Sequence, residues 1–518
     1  MRNEKWRWIL LLLLLVSLTA VAEDDIRLRS CRRGVQLPMA ASGARAQEPS
    51  TQVGGDFYHG NRHQLVVLAA FLDQDFLDDQ ATTLAKWNNI FNAENYHEGS
   101  YVGSVHDYFY DQSYGQFNLT FDLVYVNLPD SLKKYRSTYA HDENSQYLVD
   151  DIVDILQTKN IDWSEYDWNG DGFVNQLLIV YAGKGMNADG GSNTIWPHQW
   201  WLCKHLKNPD NQDEGYRDYR TVNSGNQQFI IDSYCCVQET VNASTVKTSF
   251  GTICHEYSHC FGFPDFYYDG GTKTVGGWDL MDNGNYGDKG FRPCGYSAHE
   301  RMLMGWLTPT ELTDATIVNN MPVLYEQPQA YIIYNDAYRD EFYIIEHRKQ
   351  MDWDASLPGS GLVVFHVDYD ASIWLSTVAT PNNKDKKRYC IIPANNNKST
   401  SNSSLAGWAY PYQDNDSLTN TSKPAATLNN ENTDGTLFMS KPVTQMAVGD
   451  NGLASFVFMG DETSGIGDVV RLNKKEEITD VYDLQGRRLT TMPSTGIYVV
   501  RTANGSTRLS AGNKAGCR

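Results

Sequence analysis

The sequence is poor in positive charge and, after its N-terminus, has no long apolar run. Lys and Arg total 43 against 63 Asp and Glu, so the formal net charge is −20. Nucleic-acid-binding proteins need clustered Lys and Arg, so this composition argues against a nucleic-acid partner. A membrane-spanning helix needs about 20 apolar residues, and no segment after the N-terminus approaches that length. We therefore expect a mature chain without a transmembrane segment.

Cysteine is scarce, and its spacing excludes common uses. The nine cysteines include no CxxC pair, which disfavours a structural zinc ribbon. The odd count leaves at least one cysteine outside an intramolecular disulfide bond, although some pairing is expected in an exported chain. No cysteine belongs to a paired Cys/His nucleophile signature, so a cysteine protease ranks low.

The chain is long enough for several domains with real cores. It has 518 residues, of which 41% are hydrophobic and 12% aromatic. These values predict two to four domains and argue against extensive disorder.

The first 22 residues have the pattern of a signal peptide. Arg2, Lys5 and Arg7 precede an apolar run from Trp8 to Leu18, and small residues follow at Ala20–Ala22. A charged start, a short apolar stretch and a small-residue cleavage site predict export. We expect residues 1–22 to be removed and the protein to be secreted or displayed at the cell surface.

The region from residue 59 to residue 312 mixes helical and strand patterns. His63–Asp73 and Gln176–Gly183 are apolar runs typical of buried strands, whereas Ser145–Thr158 has helical periodicity. Such a mixture predicts an α+β domain with a mixed sheet. The Arg-rich segment 23–58 before it has little periodicity, and we interpret it as a pro-segment or linker.

The remainder of the chain is dominated by strand patterns. Short runs such as EFYIIEHR, SGLVVFHVDY and ASFVFMG are separated by Asn/Ser/Thr-rich loops, which predicts a β-rich domain over residues 313–460. Residues 461–518 contain further strand pairs with turns at Gln485–Gly486 and Asn504–Gly505, which predict a small all-β tail.

The stretch HEYSHCFGFPD, which begins at His255, has the spacing of a metal site. Residues i and i+4 share a helix face, so His255 and His259 can both bind one zinc ion. Gly262 favours a left-handed helix end, and a proline follows it, so the chain is expected to turn sharply. That turn can bring Asp265 back as a third ligand. Ser244 or Thr245 could cap the helix.

Glu256 lies where a catalytic base would be needed. Three protein ligands leave one zinc position for water, whose pKa falls to about 7. Glu256 can take the proton of that zinc-bound water and later pass it to the leaving amine. The pattern therefore predicts peptide-bond hydrolysis, with zinc as the cofactor.

These residues resemble the M6 family of zinc metallopeptidases, the immune inhibitor A family. The family motif HExxHxxGxxD is matched by His255, Glu256, His259, Gly262 and Asp265. The similarity includes GSVHDYFYDQSYGQF upstream and GYSAHERMLMGWL downstream, and covers about residues 63–460. The resemblance implies a zincin- or metzincin-like catalytic domain with an active-site helix, acting on protein or peptide substrates.

Two further site residues follow from the resemblance. GGWDLMDNG resembles the Met-turn that metzincin-like enzymes place beneath the zinc, with Met281 in that role. Another zincin group takes its third ligand from a glutamate on a downstream helix, which makes Glu300 an alternative to Asp265. We favour Asp265 because the Gly-Pro turn gives it a reason to lie near the metal.

The segment DWNGDGFVN has the spacing of a calcium loop. Asp167, Asn169, Asp171 and Asn175 occupy ligand positions of such a loop, and the Phe173 carbonyl occupies another. The glutamate that closes an EF-hand is missing, so we expect either an abbreviated calcium site or an Asx-rich turn without an ion.

Three alternatives stay open. Cys31 could hold the enzyme latent by binding zinc, although an ordinary cysteine is the better interpretation. The tail VYDLQGRRL…GIYVVRT resembles type IX sorting domains of Bacteroidota, which implies export across an outer membrane, but an ordinary β-module fits as well. The chain could also be a non-catalytic adhesin or binding protein with structural metal sites. Oligomeric state has no signature in the sequence.

Overall fold

The computed structural model describes most of the chain between residues 58 and 512. The described residues are 58–136, 144–188, 193–205, 207, 215, 217–240, 249–268, 272–376, 380–460, 478–482, 487–489, 491, 496–502 and 507–512. The predicted signal peptide, Cys31, the capping candidates Ser244 and Thr245, and both predicted tail turns lie outside them. Among the described residues, helices are too short or too polar to cross a bilayer.

The chain forms two compact units that alternate along the sequence. The first contains Met1–Thr308, Lys349–Pro358 and Asp368–Cys390, and the second contains Pro309–Arg348, Gly359–Val367 and Ile391–Arg518. The predicted domain boundaries at residues 312 and 460 stay predictions. Two short downstream segments belong with the first unit, which a division into consecutive domains does not anticipate.

The first unit is built from both helices and strands. Up to Thr240 its elements are β1 (Gly60–Ala70), α1 (Gln80–Asn92), α2 (Val105–Gln112), β2 (Phe117–Asn127), α3 (Leu132–Tyr135), α4 (Ser145–Leu156), β3 (Leu177–Lys184), β4 (His198–Trp201), β5 (Arg220–Ser224), β6 (Gln227–Ile231) and β7 (Ser233–Thr240). After Thr240 they are α5 (Gly251–Ser258) and α6 (Ala298–Leu303). The strands and helices predicted from periodicity in this region are confirmed.

A mixed five-stranded sheet lies at the centre of the first unit. Its strand order is β2-β1-β3-β7-β4, and only β4 runs antiparallel to its neighbour. Residues 64–70 of β1 and residues 177–182 of β3 are buried, as expected for parallel strands covered on both faces. β4 ends the sheet on one side within the described part of the chain.

The histidine-bearing helix α5 begins later than the predicted caps Ser244 and Thr245. Its N-cap is Phe250, which makes no capping side-chain hydrogen bond. A Cβ atom on Gly251 would lie 1.9 Å from the carbonyl oxygen of Asn285, so the backbone of the helix start packs directly on the 284–290 segment. Tertiary packing replaces a local capping signal here.

The second unit consists mainly of strands. They are β8 (Thr310–Glu311), β9 (Thr316–Met321), β10 (Tyr331–Tyr334), β11 (Glu341–Arg348), β12 (Gly361–Asp368), β13 (Tyr389–Ile391), β14 (Val443–Val448) and β15 (Ala454–Phe458), with short helices α7 (Ala371–Trp374) and α8 (Asn402–Leu405) in the intervening chain. α7 and the first two residues of β13 belong to the first unit. Antiparallel pairing of β9 with β15 joins the start of the second unit to residues far downstream.

The tail contains four strands in one sheet. They are β16 (Ile478–Tyr482), β17 (Arg488–Leu489), β18 (Gly496–Thr502) and β19 (Thr507–Gly512), in the order β17-β16-β18-β19. Their presence agrees with the strand pattern, whereas a sorting role stays a prediction.

Candidate metal centre

Helix α5 is anchored to the sheet before it presents any side chain to a site. The hydroxyl of Tyr257 donates to Gln64 Oε1 on β1 at 2.8 Å, and the hydroxyl of Tyr58 donates to the carbonyl of Cys260 at 2.9 Å. Every residue of the helix is buried. The position of the histidines is therefore tied to the most buried part of the sheet.

His255 and His259 turn the same ring nitrogen toward a common point. His255 Nδ1 lies 2.9 Å from the carbonyl oxygen of Leu280, and His259 Nδ1 lies 2.8 Å from the carbonyl oxygen of Phe263. A carbonyl can only accept, so each Nδ1 carries a proton, and in the neutral ring each Nε2 keeps its lone pair. This is the tautomer that a metal ligand needs.

The helix changes character between the two histidines. α5 ends at Ser258, and His259–Phe261 form a 3-10 turn that closes at Gly262 with φ +108°. The predicted left-handed glycine is confirmed, whereas the prediction of one continuous helix through both histidines is wrong. The tighter turn brings the carbonyl of Phe263 within reach of His259 Nδ1.

Asp265 meets both histidines. Its Oδ1 lies 3.2 Å from His255 Nε2 and 3.5 Å from His259 Nε2, and its side chain is 1% exposed. Ligand atoms about 2.1 Å from a tetrahedral ion are about 3.4 Å apart. Both distances from Asp265 Oδ1 therefore match the separation expected between two ligands of one zinc ion.

Glu256 lies slightly farther from the same point. Its Oε2 is 3.9 Å from His259 Nε2. Ligand atoms of His255, Glu256 and His259 lie within 4.8 Å of one another, so these residues form a group that could hold a metal ion. The longer separation suits a carboxylate that reaches a metal-bound molecule more than it suits a direct ligand.

The charge balance of the site favours a cation. Burial lowers the pKa of His255, but the hydrogen bond to Asp265 and the negative charges of Glu256 and Asp265 outweigh burial and raise it to about 9. The site is therefore negative enough to bind a proton where a metal would bind. A divalent cation would displace that proton.

A turn downstream of the helix, around Met281, orients the ring of His255. Met281 is fully buried; its N–H donates to Asp279 Oδ1 at 2.8 Å, and its carbonyl accepts from Phe266 N–H at 2.9 Å. The neighbouring carbonyl of Leu280 accepts from His255. The segment proposed as a Met-turn thus contacts the residues beside Asp265 and orients one histidine, but the Met-turn role itself stays a prediction.

Glu300, the alternative third ligand, is engaged in its own helix. Its Oε2 accepts from the Ser297 N–H at 2.7 Å and from the Ser297 hydroxyl at 3.0 Å, and these bonds are part of a capping box at the start of α6. Because this carboxylate caps its own helix, the geometry favours Asp265 as the third metal ligand.

The predicted calcium loop is a compact turn. Asp167 accepts from the backbone N–H groups of Asp171 and Gly172 at 3.1 and 2.9 Å. Asp171 Oδ1 accepts from Phe173 N–H at 2.8 Å, and burial raises the pKa of Asp171. Asn169 Nδ2 donates to Asp171 Oδ2 at 2.9 Å.

Asn175 closes the same turn by accepting from Trp168 N–H at 2.6 Å. The turn is thus held by its own hydrogen bonds, as expected of an Asx-rich turn. Calcium binding there stays a prediction.

Some groups that shape the site have weak signals in the sequence. Phe263 and Leu280 lie within the recognised motifs. Every residue has a backbone carbonyl, however, so the sequence does not show which carbonyls accept from the histidines. Cys254, on the same helix, is a free thiol buried in the core. Its side chain therefore packs in the core of the first unit.

We expect Gly262→Ala to destabilise the protein by about 1–3 kcal/mol, the usual cost of holding a side chain in such backbone geometry. The φ of +108° is one that residues with a Cβ rarely adopt. Urea denaturation of the two proteins measures the loss. Gly277→Ala is the control, since a Cβ there meets only Pro358 at 3.4 Å or more. Equal stability of wild type and Gly262→Ala would contradict the assigned helix end.

Comparison with known proteins supports the same chemistry. Residues 73–305 match the family described as Immune inhibitor A peptidase M6, catalytic domain. The chain is also similar to Immune inhibitor A from Bacillus thuringiensis subsp. alesti, with 23% identity over 311 residues, which cover 50% of this chain and 42% of the relative. The match therefore spans less than half the length of that relative. Segment 73–305, which contains His255, Glu256, His259 and Asp265, is thus similar to the catalytic domain of M6 peptidases.

Proposed function

We propose that the protein is a zinc-dependent endopeptidase. The observation that carries this proposal is the convergence of His255 Nε2, His259 Nε2 and Asp265 Oδ1 at 3.2 and 3.5 Å, with the Glu256 carboxylate 3.9 Å from one of them. The match of segment 73–305 to the catalytic domain of a peptidase family supports it.

The donor set fits zinc. Two imidazoles and one carboxylate are typical ligands of a catalytic zinc ion, which keeps its fourth position open. The Phe263 and Leu280 carbonyls hold the rings in the ligand tautomer, as outer-shell groups do in zinc enzymes. Bound there, zinc would polarise a substrate carbonyl and lower the pKa of water to about 7.

Glu256 carries the proton in this mechanism. Its carboxylate accepts a proton from the attacking water and delivers it to the amine that leaves when the peptide bond breaks. The side chain is 4% exposed, so a bound peptide needs to exclude little additional water. His255, His259 and Asp265 hold the geometry constant while the proton moves.

A peptide substrate has a natural docking edge at β4. This antiparallel strand ends the sheet in the described part of the chain, with Trp200 as its partly exposed residue, and α5 contacts both β4 and β7. An extended peptide can add to a free strand edge through backbone hydrogen bonds. Because such binding does not require a chain terminus, it favours cleavage within a protein chain.

Two further features belong to the proposal. The N-terminal pattern of residues 1–22 supports export of the mature enzyme. The Asp167–Asn175 turn supports a second, structural ion, since an extracellular calcium concentration would suffice for an incomplete loop.

We expect removal of the metal to abolish cleavage of casein and its replacement to restore it. Purified protein should contain about one tightly bound zinc ion per chain, because the fit involves one set of three ligands. Metal analysis before and after dialysis against a zinc chelator, with casein digestion at each stage, measures both. His259→Ala serves as the control that removes a ligand. Full cleavage by metal-free protein would rule out the proposed mechanism.

A further inference from the structure

Two buried residues downstream of the family match, Asn382 and Tyr389, form hydrogen bonds with segments that lie next to the candidate ligands. The match ends at residue 305, whereas Asn382 and Tyr389 lie in the downstream segment Asp368–Cys390 of the same unit. Both side chains are fully buried. The HExxHxxGxxD motif gives neither of them a role.

Tyr389 is connected to His255 indirectly, through the carboxylate of Asp279. Its hydroxyl donates to Asp279 Oδ2 at 2.7 Å, and Asp279 Oδ1 accepts from Met281 N–H at 2.8 Å. The residue between them, Leu280, offers the carbonyl that accepts from His255. Burial raises the pKa of Tyr389 well above its ordinary value, so the hydroxyl keeps the proton that it donates.

The ring of Tyr389 supports the other side of the site. It stacks on Phe266 with ring centroids 3.7 Å apart and an angle of 17° between the planes. Phe266 follows Asp265 directly in the chain, and its N–H donates to the Met281 carbonyl at 2.9 Å. The backbone that carries the third candidate ligand is therefore held between the turn and the tyrosine.

Asn382 connects the segment around Tyr389 with the backbone of Phe266. Its Nδ2 donates to the carbonyls of Phe266 and Tyr389, both at 2.7 Å. Its Oδ1 accepts from the N–H groups of Arg388 and Tyr389, both at 3.0 Å. One amide thus fixes the downstream segment and the Phe266 backbone in a single arrangement.

We propose that Tyr389 and Asn382 are positioning residues of the metal centre, so that a segment outside the family match sets the orientation of His255 and the location of Asp265. The inference rests on the proposed function, because it assumes that these residues bind zinc. Outer-shell partners of zinc ligands typically change metal affinity about 10–100-fold when they are removed.

The test is Tyr389→Phe in the full chain. This change removes the hydroxyl, which bonds to Asp279 and to the Ser297 hydroxyl, and keeps the ring that stacks on Phe266. We expect the dissociation constant for zinc, measured by competition with a chromophoric chelator, to rise about 10-fold, the low end of the range for groups bonded directly to zinc ligands, because Tyr389 acts on His255 through Asp279. The visible absorption spectrum of the cobalt-substituted protein should also shift, because the ligand geometry changes.

Tyr343→Phe is the matched control. This tyrosine of the second unit is equally buried, and its hydroxyl donates to the Thr427 carbonyl at 2.7 Å. The change removes a buried hydroxyl from the second unit, whereas the candidate centre belongs to the first unit. We therefore expect its melting temperature to fall about as much as that of Tyr389→Phe, while its zinc affinity and cobalt spectrum stay those of wild type.

Three outcomes decide the matter. Zinc affinity and a cobalt spectrum that are unchanged in Tyr389→Phe would overturn the positioning role alone. Equal losses of affinity in both variants would do the same, because general destabilisation would then explain them. A wild-type protein that binds zinc no better than His259→Ala would overturn both this inference and the proposed function.

Discussion

Replacing Glu256 by glutamine is expected to reduce kcat/KM for peptide cleavage by about 10²–10⁴-fold, the usual contribution of a general acid–base group. Glutamine has nearly the same shape, but its amide cannot accept a proton from water at neutral pH. The side chain is buried, so the isosteric change should preserve packing. Cleavage of an internally quenched peptide measures the rate, and metal analysis of the same sample measures zinc.

Zinc content is what separates this result from a general loss of structure. Glu256 lies 3.9 Å from His259 Nε2, farther than Asp265 does, so the variant should keep its metal. Glu239→Gln is the control: it replaces a buried glutamate that accepts from the N–H groups of Leu77 and Gly183, and it should keep activity per folded molecule. Cleavage by Glu256→Gln at the wild-type rate would leave a binding protein with a structural metal as the better description.

Asp265→Ala should empty the metal site. Its Oδ1 is within 3.5 Å of both histidine Nε2 atoms, and alanine provides no ligand. The loss of zinc affinity should exceed the roughly 10–100-fold effect of changing an outer-shell group. Competition with a chelator gives the affinity, and cleavage activity should fall with occupancy.

Glu300→Gln distinguishes the two candidate ligands. Because the amide oxygen of glutamine can also accept from the Ser297 N–H in a capping box, this replacement should cost well under about 1 kcal/mol of stability. Its zinc content should remain that of wild type. The reverse pattern, with zinc kept in Asp265→Ala and lost in Glu300→Gln, would move the third ligand to α6.

The local part of the site could be predicted from the sequence alone. The four-residue spacing of His255 and His259, the adjacent Glu256 and the left-handed Gly262 depend on neighbouring backbone geometry, which short-range sterics dictate. The buried strands β1 and β3 followed from continuous apolar runs for the same reason. These features give a mixed fold and a group able to hold a metal.

The tertiary structure decided what long-range contacts determine. The start of α5 is set by the approach of Gly251 to Asn285, and the orientation of His255 by the Leu280 carbonyl, 25 residues downstream. Tyr389 and Asn382 lie more than a hundred residues from His255 and have no motif that marks them. Backbone carbonyls and distant side chains become neighbours only after the chain has packed, because burial forces each polar group to find a partner wherever the fold provides one.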